Sequence, residues 1–354
     1  MIMTNPISHN RLALGVDGGG TKSDVVLIDE SGSVLGWGRS GTGQMLWAGR
    51  DGAQEAYTEA IREALGDHRP GELWIAGLYE GVFDRIAFAD VQTHFVSSGE
   101  LTRGLATALE THGLLVLAGT GSFAAGLTED GNQVTFDGLG PVLGDYGSGY
   151  HIGLMGMRAA MASSWGPERK TSLDELVPQV FGVAVPHDVF NLVYMQHIGR
   201  SRIASAAKAV IRAAYDGDAI ALRIIMKAAD GMSDVLRDVI LRLNLQNSSY
   251  ALVASGGIAQ NCGMYWDQIC ERALEIAPNL RPIQPKVRPC VGSALLALKA
   301  MGVPWNQELL SRIEETQQPF LAALDNRPEQ FPADEPGGVR LEYTHHGPRI
   351  KGMN

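Results

Sequence analysis

The feature that most constrains the fold is an internal repeat in the first half of the chain. An apolar run from residue 12 enters a glycine-rich turn, D-G-G-G-T-K at 17–22, and is followed by a second apolar run and an acidic glycine turn. The same order returns from residue 114, with the turn G-T-G-S at 119–122. Two matching strand, turn and strand units predict a structural duplication.

The length of the chain predicts two domains. At 354 residues the chain exceeds what one ordinary hydrophobic core supports. The repeat predicts an α/β N-terminal domain at 1–112 and a second α/β domain at 113–300. Helical spacing dominates from about residue 151, so additional helices are expected in the second domain. Residues 301–354 are expected to form a C-terminal helix and a flexible tail, with packing back on the N-terminal domain left open.

Composition excludes several classes of function. The formal net charge of -10, without any Lys/Arg run, opposes a nucleic-acid partner and favours a small ligand. No apolar run approaches the ~20 residues of a membrane span, and the first ten residues lack a signal-peptide core, so a cytoplasmic protein without a membrane partner is expected. Cys262, Cys270 and Cys290 are spaced too widely for a zinc or disulfide framework.

The first glycine turn has the chemistry of a phosphate site. Glycines without a Cβ let backbone N–H groups converge on an anion, and a threonine hydroxyl adds a donor. Asp17, at the end of the preceding strand, is placed to hold Mg2+ through water. A tight hairpin without a ligand is the alternative. The other residues of this predicted cofactor site are Gly18, Gly19, Gly20, Thr21 and Lys22.

The second turn repeats that logic, and two such turns facing each other would grip a polyphosphate from both sides. No Walker loop occurs, and the acidic turn at 128–132 ends any helix too early for a dinucleotide fingerprint. A later S-G-G segment follows an apolar strand, where a flat base can lie against backbone. The cofactor-binding candidates here are Gly119, Thr120, Gly121, Ser122, Gly256 and Gly257.

A third glycine-rich loop, at 138–149, carries the carboxylate of Asp145 just before a predicted helix. A loop aspartate is commonly an N-cap or turn former. The density of glycine around it favours a ligand role, and Asp145, Gly140 and Gly144 are the substrate-binding candidates.

The ordered set D-G-G-G-T, G-T-G-S, G-D-x-G-S and S-G-G resembles the N-acetylglucosamine kinase branch of the BadF/BadG/BcrA/BcrD ATPase family, over residues 12–300. The resemblance implies two ribonuclease-H-like, actin-like ATPase domains flanking an ATP/sugar cleft, with ATP and Mg2+ as cofactors and a small-molecule sugar as substrate. It also implies that the first two motifs hold the phosphates, that S-G-G lies by the adenosine, and that Asp145 binds sugar hydroxyls.

Three departures from the family pattern bear on the site. Tyr146 stands where the family has glutamate, and Leu139 stands where it has an aromatic residue. The catalytic aspartate expected before the second phosphate motif is missing, and Glu100 is the nearby carboxylate. Glu100 and Asp17 are therefore the catalytic candidates.

These patterns predict ATP-dependent phosphorylation of a sugar, with N-acetylglucosamine or glucosamine as the first choice. A non-catalytic sugar or nucleotide sensor is the alternative that the missing aspartate suggests. An ATPase activator of a radical dehydratase is disfavoured, because such proteins need central cluster cysteines and residues 1–260 contain none. A homodimer stays open as the assembly.

Overall fold

The computed structural model describes residues 11–78, 91–326, 341–344 and 347–350. The first sheet has the strand order β3-β2-β1-β4-β5. β1 to β3 are antiparallel neighbours, whereas β4 and β5 run parallel to β1. Its strands are β1 (Arg11–Gly18), β2 (Ser23–Asp29), β3 (Val34–Ser40), β4 (Glu72–Ala76) and β5 (Gln92–Val96).

The second sheet has the order β10-β9-β6-β7-β8, and its pairing repeats the first: β6 to β8 are antiparallel, and β9 and β10 run parallel to β6. Its strands are β6 (Gly113–Ala118), β7 (Ser122–Leu127), β8 (Gln133–Asp137), β9 (Ala251–Ser255) and β10 (Arg281–Ile283). Because both sheets have the same topology, the predicted duplication and fold class are confirmed.

Most of the helices come after β8 in the chain. They are α1 (Met45–Leu65), α2 (Glu100–Ala106), α3 (Gly149–Ala162), α4 (Leu173–Phe181), α5 (Pro186–Tyr194), α6 (Arg200–Ser205), α7 (Ala207–Tyr215), α8 (Ala219–Arg242), α9 (Gly256–Asn261), α10 (Gly263–Ile276), α11 (Pro289–Ala300), α12 (Gln307–Thr316) and α13 (Gln318–Asp325). No single helix among the described residues has the length and apolar character to cross a membrane; α4 and α5 meet that test only together, across a 42° bend.

Some elements differ from the sequence-based predictions. The apolar spacing of residues 202–214 predicts one helix, but the helix is broken at Ala206 into α6 and α7. Strand β8 was not predicted, because its partly exposed, polar residues lack an apolar run. Within the predicted tail, β11 (Leu341–Thr344) and β12 (Gly347–Ile350) pair as an antiparallel hairpin; residues 327–340 lie outside the described part of the chain.

Both faces of each sheet are covered. In β1, Leu12 and Leu14 pack in the core that includes Ile61 of α1, whereas Ala13 packs in the core that includes Leu295 of α11. This alternation follows from the two-residue period of a strand. β1 therefore has polar residues only near its two ends, at Arg11 and Asp17, and the turn that follows Asp17 is presented at the edge of the sheet.

Helix α11 packs closely on β1. A Cβ built on Gly15 would lie 2.1 Å from the carbonyl oxygen of Cys290, so the helix approaches the strand backbone directly. On its other side, a Cβ on Gly292 would lie 2.0 Å from the carbonyl oxygen of Arg103 in α2. The domain bounds at 112 and 300 stay predictions, and this packing leads us to propose that residues 289–300 belong with the first sheet.

Asp218 caps α8 and ties it to a neighbouring loop. One carboxylate oxygen accepts the Ile220 and Ala221 N–H groups at 2.9 Å each. The other accepts the Thr171 hydroxyl and the Ser172 N–H at 2.7 Å each. With the Ser172 hydroxyl, which also donates at 2.9 Å, five donors make Asp218 the best satisfied N-cap of the long helices.

Candidate active site

The two glycine turns meet at their hydroxyls. Residues 19–22 connect β1 to β2, and residues 119–121 connect β6 to β7 at the equivalent position of the second sheet. Thr21 Oγ1 lies 2.8 Å from Thr120 Oγ1. The predicted convergence of the two turns is therefore present in the structure, as two hairpins facing each other.

A third segment, the start of α6, joins this contact. The Thr21 hydroxyl donates to Ser201 Oγ at 3.0 Å, and the Ser201 hydroxyl lies 3.3 Å from the Gly20 carbonyl oxygen. The Arg200 guanidinium lies over the first turn: a Cβ built on Gly20 would be 2.3 Å from Arg200 Nη2, which also donates to Gln44 Oε1 at 3.3 Å. A side chain at position 20 would therefore displace the Arg200 guanidinium from the first turn.

Asp17 and Glu100 are linked through one cation. Arg103 Nη2 lies 3.7 Å from Asp17 Oδ1 and 4.0 Å from Glu100 Oε1. The Asp17 side chain is 27% exposed and that of Glu100 is 49% exposed. Burial raises the pKa of Asp17 to about 6, while the Arg103 charge acts in the opposite direction. The two catalytic candidates thus share a guanidinium at the edge of the first sheet.

The remaining turn residues divide into exposed and internal groups. Lys22 is exposed, and its charge acts to lower the pKa of Asp17. Gly18 is packed internally, since a Cβ there would lie 2.0 Å from the Tyr57 hydroxyl oxygen. Gly19 donates its N–H to the Lys22 carbonyl at 2.9 Å and closes the first turn. The Ser122 hydroxyl is also used internally, donating to the Tyr146 carbonyl at 2.8 Å.

Asp145 lies against the second turn. Its side chain is 4% exposed, and a Cβ on Gly121 would be 2.9 Å from Asp145 Oδ2. The carboxylate accepts the N–H of Ser122 and, at 3.3 Å, that of Gly140. Burial raises the pKa of Asp145, and these hydrogen bonds oppose the rise. The carboxylate therefore connects the second glycine turn to the loop of the predicted sugar site.

That loop is organised by Asp137, the last residue of β8. Its carboxylate accepts the Asp145 N–H at 2.7 Å and the Tyr146 N–H at 2.8 Å. Gly144 must be glycine because a Cβ there would lie 2.1 Å from Asp137 Oδ1. Gly140 and Gly144 are joined by a backbone hydrogen bond of 2.8 Å, so the three substrate-binding candidates lie together.

The S-G-G segment adjoins the second turn. A Cβ on Gly256 would lie 2.6 Å from the Ala118 carbonyl oxygen, and Gly256 has a φ of +83°, which favours glycine. Gly119 and Gly257 have open backbone faces, where a Cβ would meet no atom within 4 Å. This gives a ligand room to approach the backbone of both segments.

The residues present fit ATP with Mg2+. Hydroxyls, open glycine backbones and the cations Lys22, Arg103 and Arg200 suit a polyphosphate. No group of three His, Cys, Asp or Glu side chains within the described ranges is arranged to hold a metal. A single carboxylate such as Asp17 is nevertheless what Mg2+ typically takes from a protein when nucleotide phosphates and water complete its shell.

Several residues of this site were missed by sequence reasoning. Arg103, Asp137, Arg200 and Ser201 occur outside every glycine motif, and their contacts with Asp17, Asp145 and Gly20 depend on tertiary structure. The one available signal was for Arg103, which lies three residues after Glu100, one turn along the predicted helix.

Comparison with known proteins supports the fold and the motifs. The model of the BadF/BadG/BcrA/BcrD ATPase family matches residues 14–297. The N-acetyl-D-glucosamine kinase of Dictyostelium discoideum is 26% identical over 311 residues, covering 81% of this chain and 98% of that protein. The N-acetylmuramic acid/N-acetylglucosamine kinase of Clostridium acetobutylicum is 24% identical over 300 residues, with coverage of 81% and 98%.

Solved structures show the same fold. A candidate N-acetylglucosamine kinase from Porphyromonas gingivalis superposes with a TM-score of 0.60 at 19% identity, covering 82% of this chain and 99% of that chain. A ROK family glucokinase from Streptomyces griseus, in complex with glucose and AMPPNP, superposes with a TM-score of 0.51 at 15% identity, with coverage of 81% and 98%.

Proposed function

The chain belongs to the BadF/BadG/BcrA/BcrD ATPase family, and from that premise we propose that it is an ATP-dependent sugar kinase whose acceptor is N-acetylglucosamine or glucosamine. The observation that carries the proposal is the 2.8 Å contact between Thr21 and Thr120, which joins two equivalent glycine turns from two equivalent sheets. The kinase names of the two curated relatives support the same reaction class.

The nucleotide phosphates would lie between the turns, with hydroxyl donors from Thr21, Thr120 and Ser201. Asp17 would hold Mg2+, which neutralises charge on the phosphates when bound. Phosphoryl transfer needs little covalent participation from the protein, so positioning and electrostatic stabilisation supply most of the rate.

Glu100 is the proposed acceptor of the sugar hydroxyl proton. Its carboxylate lies at the start of α2 on the same edge as Asp17, and Arg103 contacts both. A base at this edge would act on a hydroxyl that attacks a phosphate held by the first turn. Asp145 would hold the second turn and the sugar loop in register, and its direct contact with sugar stays a prediction.

Arg200 is the proposed cation for the terminal phosphates. Its Nη2 lies against Gly20, and its charge acts to lower the pKa of Asp145, so it reaches both halves of the site. An arginine fork matches phosphate oxygens in two directions and stays charged at every working pH. Two guanidinium groups therefore lie near the first turn, Arg103 by Asp17 and Arg200 by Gly20.

The function is tested by ATP consumption that depends on added sugar, with a panel of N-acetylglucosamine, glucosamine, N-acetylmuramic acid and glucose. The highest kcat/KM is expected for N-acetylglucosamine. ATP binding by calorimetry without turnover on any sugar would favour the sensor. The homodimer also stays a prediction, to be checked by light scattering.

A further inference from the structure

A second cavity lies between α3 and α8 and is lined by none of the residues described above for the cleft. Its volume is about 310 Å³, within the range of sites that enclose small molecules. Four cationic side chains line it, one from α3, one from the segment that follows and two from α8; these are Arg158, Arg169, Arg223 and Lys227.

The charge of this cavity is unusual for the chain. The protein has 29 Lys and Arg residues against 39 Asp and Glu, yet the cavity lining contains no carboxylate among the described residues. Arg223 and Lys227 are four residues apart on one helix, where like charges repel. Within the described part of the chain, neither lies within 4.0 Å of a carboxylate, so their repulsion is not compensated locally.

The floor of the cavity is apolar, formed in part by Ile152, Met155 and Ile224. One polar ring, His151, faces the same space. Burial, with the charges of Lys227 and Arg158, lowers the pKa of His151, so the ring is neutral at pH 7. Its Nδ1 accepts the Gly147 N–H at 3.2 Å, which leaves the proton on Nε2 as a donor.

We propose that this cavity binds a small phosphorylated organic molecule, with the phosphate on Arg158, Arg223 and Lys227 and the organic part on the apolar floor. A phosphate dianion removes the repulsion between the cations and accepts several charge-assisted hydrogen bonds. Inorganic phosphate has the same head group but leaves the floor uncovered. The site goes beyond the proposed kinase reaction, which uses none of these residues.

Calorimetry with glucose 6-phosphate, inorganic phosphate and glucose tests the site at constant ionic strength. The double variant Arg223→Gln/Lys227→Gln should bind glucose 6-phosphate about tenfold more weakly than the parent. The matched control Arg237→Gln/Arg242→Gln removes two charges from the same helix outside the cavity, and its affinity should stay within about twofold of the parent. Because the cations are exposed, added salt should weaken binding.

Equal affinity in the cavity variant and the parent would overturn the proposal, as would an equal loss in the control. Inorganic phosphate binding as tightly as the ester would overturn the assignment to an organic phosphate. Both double variants should melt at the parent temperature and retain the parent's sugar-dependent ATP turnover. Since the binding of glucose 6-phosphate and of inorganic phosphate is measured without ATP and without an unphosphorylated sugar, its failure is distinguishable from a failure of the kinase assignment.

Discussion

The variant Asp17→Asn should be more stable than the parent at neutral pH and at the same time inactive. Asp17 is desolvated, with Asp24 and Glu100 nearby, and its pKa is raised to about 6 from an ordinary value of 3.8. The ionised carboxylate is therefore disfavoured in the folded state. Asparagine has the same shape without the charge, so it removes this cost together with the proposed metal ligand.

The magnitude follows from the shift. About two pKa units correspond to about 3 kcal/mol. The side chain is 27% exposed and retains Arg103 as a neighbour, so solvent screening reduces the expected gain to about 1–2 kcal/mol. For a chain of 354 residues, this raises Tm by about 1–3 °C.

The direction of the pKa shift determines how the stability difference between variant and parent changes with pH. A carboxyl group whose folded pKa is raised destabilises the protein above that pKa, and the cost fades as the folded state takes up the proton. The stability difference between variant and parent should be full above about pH 6 and close to zero near pH 4. Urea denaturation across that range, with sugar-dependent ATP turnover at pH 7.5, measures both effects.

The matched control is Asp24→Asn, at the residue that pairs with Asp17 across β1 and β2. Asp24 accepts two hydrogen bonds from Arg39, at 2.6 and 2.9 Å. The same substitution there should destabilise the protein by about 2 kcal/mol or more. A loss of stability in Asp17→Asn at pH 8, or a gain that does not shrink toward pH 4, would refute the reasoning.

Four other substitutions test separate parts of the site and fold. Glu100→Gln should lower kcat about a hundredfold or more with little change in KM; an unchanged kcat would eliminate it as the base. Asp145→Asn should raise KM for both ATP and sugar, whereas a rise for sugar alone would show direct sugar binding. Arg200→Met should weaken ATP binding at least about tenfold and leave the affinity for AMP unchanged. The control Arg202→Met, on the same helix, should leave the affinity for ATP unchanged. Burial acts to raise the pKa of Asp218, but hydrogen bonding lowers it to about 2. Asp218→Ala should therefore cost about 1–2 kcal/mol of stability at pH 7. In urea denaturation, this difference should disappear as the pH falls from about 4 to 2.

What the sequence predicted was local in character. Both glycine turns and their flanking strands lie within about 20 residues of chain, where apolar runs and turn chemistry determine the structure. Strand β8 was missed because its half-exposed residues satisfy a sheet edge without an apolar pattern. Asp137, which organises the glycine-rich loop at 138–149, was missed with it.

The contacts of α6 were outside the reach of sequence reasoning for a different reason. Ser201 meets Gly20 across 181 positions of the chain, and no local pattern specifies such a pairing. The only local feature is the break at Ala206, which separates α6 from α7. The apolar spacing across that break predicts one continuous helix, and it carries no sign of the contact with the first turn.

The hydroxyl contact also limits how the cleft works. For one phosphate oxygen to accept from Thr21 and Thr120 together, at about 2.7 Å from each, the two hydroxyl oxygens must stand roughly 4.5 to 5 Å apart. They are 2.8 Å apart, so binding in this mode requires the two hydroxyl oxygens to separate by about 2 Å. The contacts that must break, among Thr21, Thr120, Ser201 and the Gly20 carbonyl, are each worth about 1 kcal/mol. Because the turns belong to different sheets, a small relative rotation of those sheets would be enough to separate them, as in domain closure around a ligand.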